Sequence, residues 1–115
     1  MSPVTHVVSF KFSPDATVEQ RAGLYNALMG LKESCKKDGE PYILSVKGGR
    51  QISKEPFHHD MQIGFIVEFA SSEDLDHYAS ADEAHQAFIK EWAVPERGVV
   101  AGVVVLDFEE GWNGA

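Results

Sequence analysis

Tyr78 and His85 are the side chains in this chain best suited to chemistry. An imidazole has an unperturbed pKa near neutrality, and an apolar setting keeps it uncharged and ready to accept a proton. A phenol can donate its O–H to a carbonyl oxygen as negative charge builds there. The pair therefore suits proton abstraction beside a carbonyl: aldol closure, enolisation or isomerisation, with His85 as base and Tyr78 as oxyanion donor. His6 is a third candidate, placed to orient one of the other two. Each also has a plainer reading as a core or strand-edge residue with one satisfied hydrogen bond.

The elements that would hold these residues can be read from periodicity. Ser80-Ala81-Asp82-Glu83 has the form of a capping box, and His85, Phe88, Ile89 and Trp92 follow it at helical spacing. Two short helices meeting at Ser80 are expected, with the imidazole on the buried face. Val4 to Phe12 alternates as a strand that puts His6, Val8, Phe10 and Phe12 on one side. Thr17-Val18-Glu19-Gln20 is a second capping box. The helix after it carries a stripe of Leu24, Leu28, Leu31 and Cys35, widened by Tyr25 and Met29. Asp38-Gly39 and Pro41 are expected to end that helix.

Tyr42 to Lys47 reads as a strand stopped by Gly48-Gly49, and Arg50 to Asp60 as a loop. Met61 to Phe69 is a third strand with Ile63, Phe65, Val67 and Phe69 on one face. Pro95 to Gly98 breaks the last helix, and Val99 to Phe108 is a β-branched strand. The order β-α-β-β-α-β predicts an α+β fold, a ferredoxin-like antiparallel sheet with helices on one face. The last strand is apolar on both faces: Ala101, Val103 and Val105 on one, Val100, Val104, Leu106 and Phe108 on the other. One chain of this length has helix enough for one side, so the second face calls for another copy. A homodimer with sheet-on-sheet packing is expected, helped by the small volume of Gly64 and Gly102 and with Trp112 docking on the partner.

The 115 residues suit a single domain, with a core from about residue 4 to 108 and a short tail. A formal charge of −8 argues against nucleic acid or an anionic membrane as partner. The first residues lack a signal-peptide pattern, and no apolar run nears the roughly 20 residues of a membrane span, so a cytoplasmic location is expected. Cys35 reads as a small core residue, and His77 as solvent-facing. His58-His59-Asp60 reads as a solvated loop, with no metal implied, since adjacent histidines lack the spacing that converges ligands. Gly48-Gly49 lacks a phosphate-binding or dinucleotide fingerprint, and no cofactor is expected.

His6-Val7-Val8-Ser9-Phe10-Lys11-Phe12, the Tyr78…His85-Gln86-Ala87-Phe88 segment and a closing strand ending Leu106-Asp107-Phe108 together resemble the stress-responsive A/B barrel (Dabb) family. The likeness runs from about residue 4 to 108 and implies a dimeric α+β barrel. Plant polyketide cyclases of this group close a ring by aldol condensation, with a histidine base and a tyrosine on the substrate oxygen. The matching positions are His85 and Tyr78, with His6 matching a pocket histidine. The resemblance implies an apolar, cofactor-independent pocket between helices and sheet. Val8, Phe10, Leu24, Tyr25 and Leu28 would line it, with Phe65, Val67, Val103 and Val105. Tyr78 and His85 stand one residue further apart than in the cyclases, and Asp82-Glu83 replaces a His-Pro pair. Leu28 and Ile63 stand where a tyrosine and a histidine would fix that particular substrate. Two other expectations share the fold: a non-catalytic, stress-responsive ligand-binding dimer, and a cofactor-free monooxygenase.

Overall fold

The computed structural model describes residues 2–115. Strand β1 (Val4–Phe12) leads through a turn into α1 (Val18–Met29) and α2 (Leu31–Ser34). A small hairpin follows, β2 (Lys36–Lys37) and β3 (Glu40–Pro41), then β4 (Ile43–Arg50) and β5 (Ile63–Phe69). Helices α3 (Ser72–Ser80) and α4 (Glu83–Phe88) precede a π turn (Ile89–Ala93), a 3-10 turn (Pro95–Arg97) and β6 (Val100–Glu109). Four strands form one antiparallel sheet in the order β4-β5-β1-β6, the expected ferredoxin-like α+β arrangement. Among the described residues no helix is long and apolar enough to cross a membrane.

The core lies between this sheet and the helices. Val8, Phe10 and Phe12 of β1 face it with Phe65, Val67 and Phe69 of β5, and Leu24, Leu28 and Leu31 close it from the helix side. The Thr17 capping box forms as read: its hydroxyl accepts from the Gln20 amide, and the Gln20 side chain accepts from the Thr17 amide. Cys35 is fully buried, as its place on the apolar stripe implied.

Several boundaries differ from the sequence reading, each for a physical reason. The helix breaks at Gly30, so Leu31 to Ser34 form a separate turn and Cys35 is already extended. Asp38-Gly39 does not cap a helix. With φ of 54° and 80° it makes the two-residue turn of the β2–β3 hairpin, where both positions need the left-handed region. Gly48-Gly49 does not stop β4 but lies inside it. A Cβ at Gly48 would run into the ring of Phe65 on the neighbouring strand, so the glycine makes room for a core aromatic. The helix cap expected at Ser80 is Asp82 instead, because Ser80 still belongs to α3 and bonds back to the Asp76 carbonyl.

The edge strand β6 is where the single chain is incomplete. A bulge between Lys11 and Phe12 turns Val100 towards the core, away from the face of Val104, Leu106 and Phe108 with which simple alternation grouped it. Beyond that point Val103, Val104, Val105, Leu106 and Phe108 are 48–59% exposed, so both faces of the strand are bare in the single chain. Gly64 and Gly102 lie opposite Ser9 and Lys11, on the sheet face turned away from the helices.

Candidate functional site

Asp82 organises the polar corner of the molecule. Its carboxylate is 1% exposed and accepts from the amides of Ala84 and His85, which starts α4 and sets the direction of the His85 side chain. The Tyr42 hydroxyl donates to its second oxygen at 2.7 Å. Burial alone would raise the Asp82 pKa, but these hydrogen bonds, with one from Cys35, hold it below the usual carboxylate value. Cys35 beside it is pushed up to about 12, first by burial and then by the Asp82 charge, so it stays a thiol without nucleophilic character.

His85 Nδ1 lies 2.7 Å from the backbone carbonyl of Tyr78. A carbonyl can only accept, so Nδ1 carries the proton and the neutral ring keeps its lone pair on Nε2. The backbone thereby selects the tautomer of a base. The His85 ring also stacks on the Tyr78 ring, with centroids 3.8 Å apart at 20°. Burial lowers the His85 pKa, and nearby His6 adds to that; the Tyr78 carbonyl and Asp82 oppose it. Tyr78 is 2% exposed, and burial, reinforced by Cys35, Asp82 and Asp107, pushes its pKa upward, so the phenol remains an O–H donor.

His6 completes the group from β1. Its ring meets Tyr78 edge-on at 5.5 Å, and its Nδ1 lies 2.5 Å from a carboxylate oxygen of Asp107. Asp107 sits directly opposite His6 in the β1–β6 register. As a carboxylate it accepts, which again leaves Nε2 of a neutral imidazole as the free acceptor. A phenol donor, an imidazole presenting a lone pair and a second imidazole paired with a carboxylate are thus held together by α3, α4, β1 and β6.

The structure brings together three of the sequence-predicted site residues, His6, Tyr78 and His85. The others are placed differently. Val8, Phe10, Leu24, Leu28, Phe65 and Val67 are at most 5% exposed and pack against one another, filling the space where an apolar cavity was expected under α1. Tyr25 is half-buried and donates its hydroxyl to the Gly48 carbonyl at 2.9 Å. Val103 and Val105 share a sheet face with Phe10 and Val8 but lie on the edge strand, each 53% exposed. The flank that meets solvent is therefore the β6 side, where the Asp107 side chain keeps 37% of its exposure.

Two residues of this polar corner escaped the sequence reading. Asp107 was legible as an aspartate on the inward alternation Val103-Val105-Asp107, but its partner appears only with the strand register. Asp82 was seen as an interior member of a capping box rather than as the cap. His77, expected to face solvent, instead donates Nε2–H to the Lys36 carbonyl at 2.8 Å and packs edge-on against Tyr42.

Residues 4–110 match the sequence pattern of the stress responsive A/B barrel domain. The chain belongs to that family. A sequence comparison with curated proteins finds no match. Among solved structures it is similar to a hydroxynitrile lyase from Passiflora edulis, at 17% identity and a TM-score of 0.78 over 97% of this chain and 98% of that one. A Dabb family protein of ferredoxin-like fold from Mesorhizobium loti gives 19% identity and a TM-score of 0.72 over 94% and 96% of the two chains. A dimeric ferredoxin-like protein from Thermobifida fusca gives 16% and 0.71 over 94% and 91%. At these identities the likeness establishes the A/B barrel fold, in a group whose members include dimers.

Proposed function

We propose that this A/B barrel protein is a cofactor-independent acid–base catalyst acting on a small apolar molecule beside a carbonyl group. The observation that carries this reading is the His85 Nδ1–H bond to the Tyr78 carbonyl, which leaves a neutral Nε2 lone pair against a phenol kept protonated. A base and an O–H donor so arranged can remove a proton alpha to a carbonyl while holding the enolate oxygen. The same pair can run C–C bond formation or cleavage at a carbonyl carbon, the chemistry shared by aldol ring closure and by cleavage of hydroxynitriles. His6, backed by Asp107, would serve as the second proton acceptor. The ligand would approach over Val103 and Val105, since the interior is filled.

The direct test is exchange of α-protons of an apolar aryl ketone in D₂O, followed by NMR, with release of aldehyde from an aromatic cyanohydrin as a second assay. Turnover that vanishes in His85→Ala supports the reading. Equal rates in both proteins, or none in either across such substrates, remove it.

A homodimer joined through the outer sheet face fits the exposed Val104, Leu106 and Phe108 on β6. Sedimentation should give a dimer for the native chain and a monomer for Leu106→Glu. One observation favours a second reading, a ligand-binding dimer without catalysis: the close packing of Leu24 and Leu28 against Phe65 and Val67 under α1. Oxygen consumption with a candidate phenol would separate the monooxygenase reading from both.

A further inference from the structure

The opposite end of the sheet carries a cleft that the proton-transfer reading does not use. From His6 to Phe12 the strand advances about 20 Å, at roughly 3.3 Å per residue. There the turn after β1, the start of α1 and the β4–β5 loop surround an open cleft of about 710 Å³. Lys11, Arg21 and Arg50 line it together with one carboxylate, Asp60. The chain as a whole has 10 Lys and Arg against 18 Asp and Glu, so this cleft inverts the charge of the molecule around it. Among the described residues no ion pair engages any of these three cations. Arg21 spends one N–H on the Ala16 carbonyl, at 3.3 Å, and Lys11 and Arg50 are exposed.

His58 adds a directed donor to the same wall. Its Nδ1 accepts from the Asp60 amide at 3.0 Å, so a neutral ring must carry its proton on Nε2. That geometry depends on His59 and Asp60, whose φ values of 52° and 62° place two non-glycine residues in the left-handed region. Pro14 and Met61 supply an apolar surface next to the cations, with Phe12 buried behind them.

We propose that this cleft binds a small phosphorylated molecule with an apolar body. Two guanidinium groups suit a phosphate because each can offer paired N–H donors to its oxygens, with Lys11 adding charge. A volume within the ordinary range for ligand sites leaves room beyond the phosphate for a ring or chain against Pro14 and Met61. The proposal is independent of the chemistry at His85, and either can fail without the other.

The test is an NMR titration of the native protein with phenyl phosphate, inorganic phosphate and benzoate in parallel. Phenyl phosphate should shift the amides of Lys11, Arg21, Arg50 and Met61 saturably and leave those of Tyr78 and His85 in place. It should bind more tightly than inorganic phosphate, which lacks the apolar body. Arg50→Gln and Arg21→Gln should each weaken it by about tenfold, with unchanged dispersion of the remaining spectrum showing that the fold persists. No saturable binding, unchanged affinity in both variants, or tighter binding of benzoate than of phenyl phosphate would overturn the proposal.

Discussion

The two ends of β1 present histidines whose ring nitrogens are engaged by neighbouring groups in opposite senses. At the His6 end, a carbonyl and a carboxylate occupy Nδ1 of His85 and His6, so the neutral form of either ring shows an accepting Nε2. At the Phe12 end, an amide occupies Nδ1 of His58, so that ring shows a donating Nε2–H. The first setting is buried and acceptor-rich, suited to taking a proton. The second is open and cationic, suited to holding an anion. The same residue type thus presents a different hydrogen-bonding group through a single neighbouring hydrogen bond.

The largest effect expected from breaking this contrast is at His85. Substitution by Ala should lower proton exchange on the aryl ketone by about 100-fold or more, within the usual range for removing a general base. The dimer should persist in gel filtration, because His85 lies on the helix-covered side of the sheet and Val104, Leu106 and Phe108 on the other. Arg50→Gln should leave the exchange rate unchanged, since it alters only the open end. If Arg50→Gln slows exchange as much as His85→Ala does, the two ends are one site.

Asp82→Ala sharpens the comparison through stability. It removes a buried cap, strands the Tyr42 hydroxyl and frees two amides at the start of α4. A loss of about 2–3 kcal/mol is expected in urea unfolding, the range for a lost cap together with an orphaned buried donor. Arg50→Gln, on the surface, should stay within about 0.5 kcal/mol. Similar midpoints for the two variants would mean that the acidic corner is no more structural than the exposed one.

The fold was readable in the sequence because strand alternation and helical stripes are local patterns, and β1, β5 and the stretch of α1 before Gly30 follow theirs closely. The misread positions are those where one residue type serves two structural purposes. Asp38-Gly39 suits a helix end and a hairpin turn equally, and only the extended Cys35 before it decides for the turn. Gly48 looked like punctuation because the Phe65 ring lying over it comes from another strand. The site was half legible for the same reason. Tyr78 and His85 lie close in sequence, whereas His6 and Asp107 meet only through β-sheet register. The cavity was not legible at all, since the close packing of Leu24, Leu28 and Phe65 is a matter of volumes and not of pattern.

Between the two ends, Gly48→Ala tests whether the packing is as tight as it looks. The added methyl would press on Phe65, and overpacking of this kind costs about 1–3 kcal/mol. Thermal unfolding should fall accordingly. An unchanged midpoint would mean that the interior can yield, and it would reopen the route under α1 for a ligand.

The smallest effect expected is the pH dependence set by His85. Its folded pKa lies below the ordinary 6.5 because burial disfavours the charged ring. Above 6.5 the ring is neutral in both folded and unfolded chains, and it contributes no pH dependence. As pH falls below 6.5, the unfolded chain takes up the proton first, and stability declines until the folded ring titrates as well. The base is active only when neutral, so ketone exchange should hold its plateau below pH 6.5 and fall only as the depressed pKa is passed. Comparing native protein with His85→Gln isolates this contribution, since the amide does not titrate. The difference in their stabilities should be flat above pH 6.5 and narrow on acidification. A difference that widens on acidification would mean that His85 gains rather than loses charge on folding, and a charged imidazole there could not be the base.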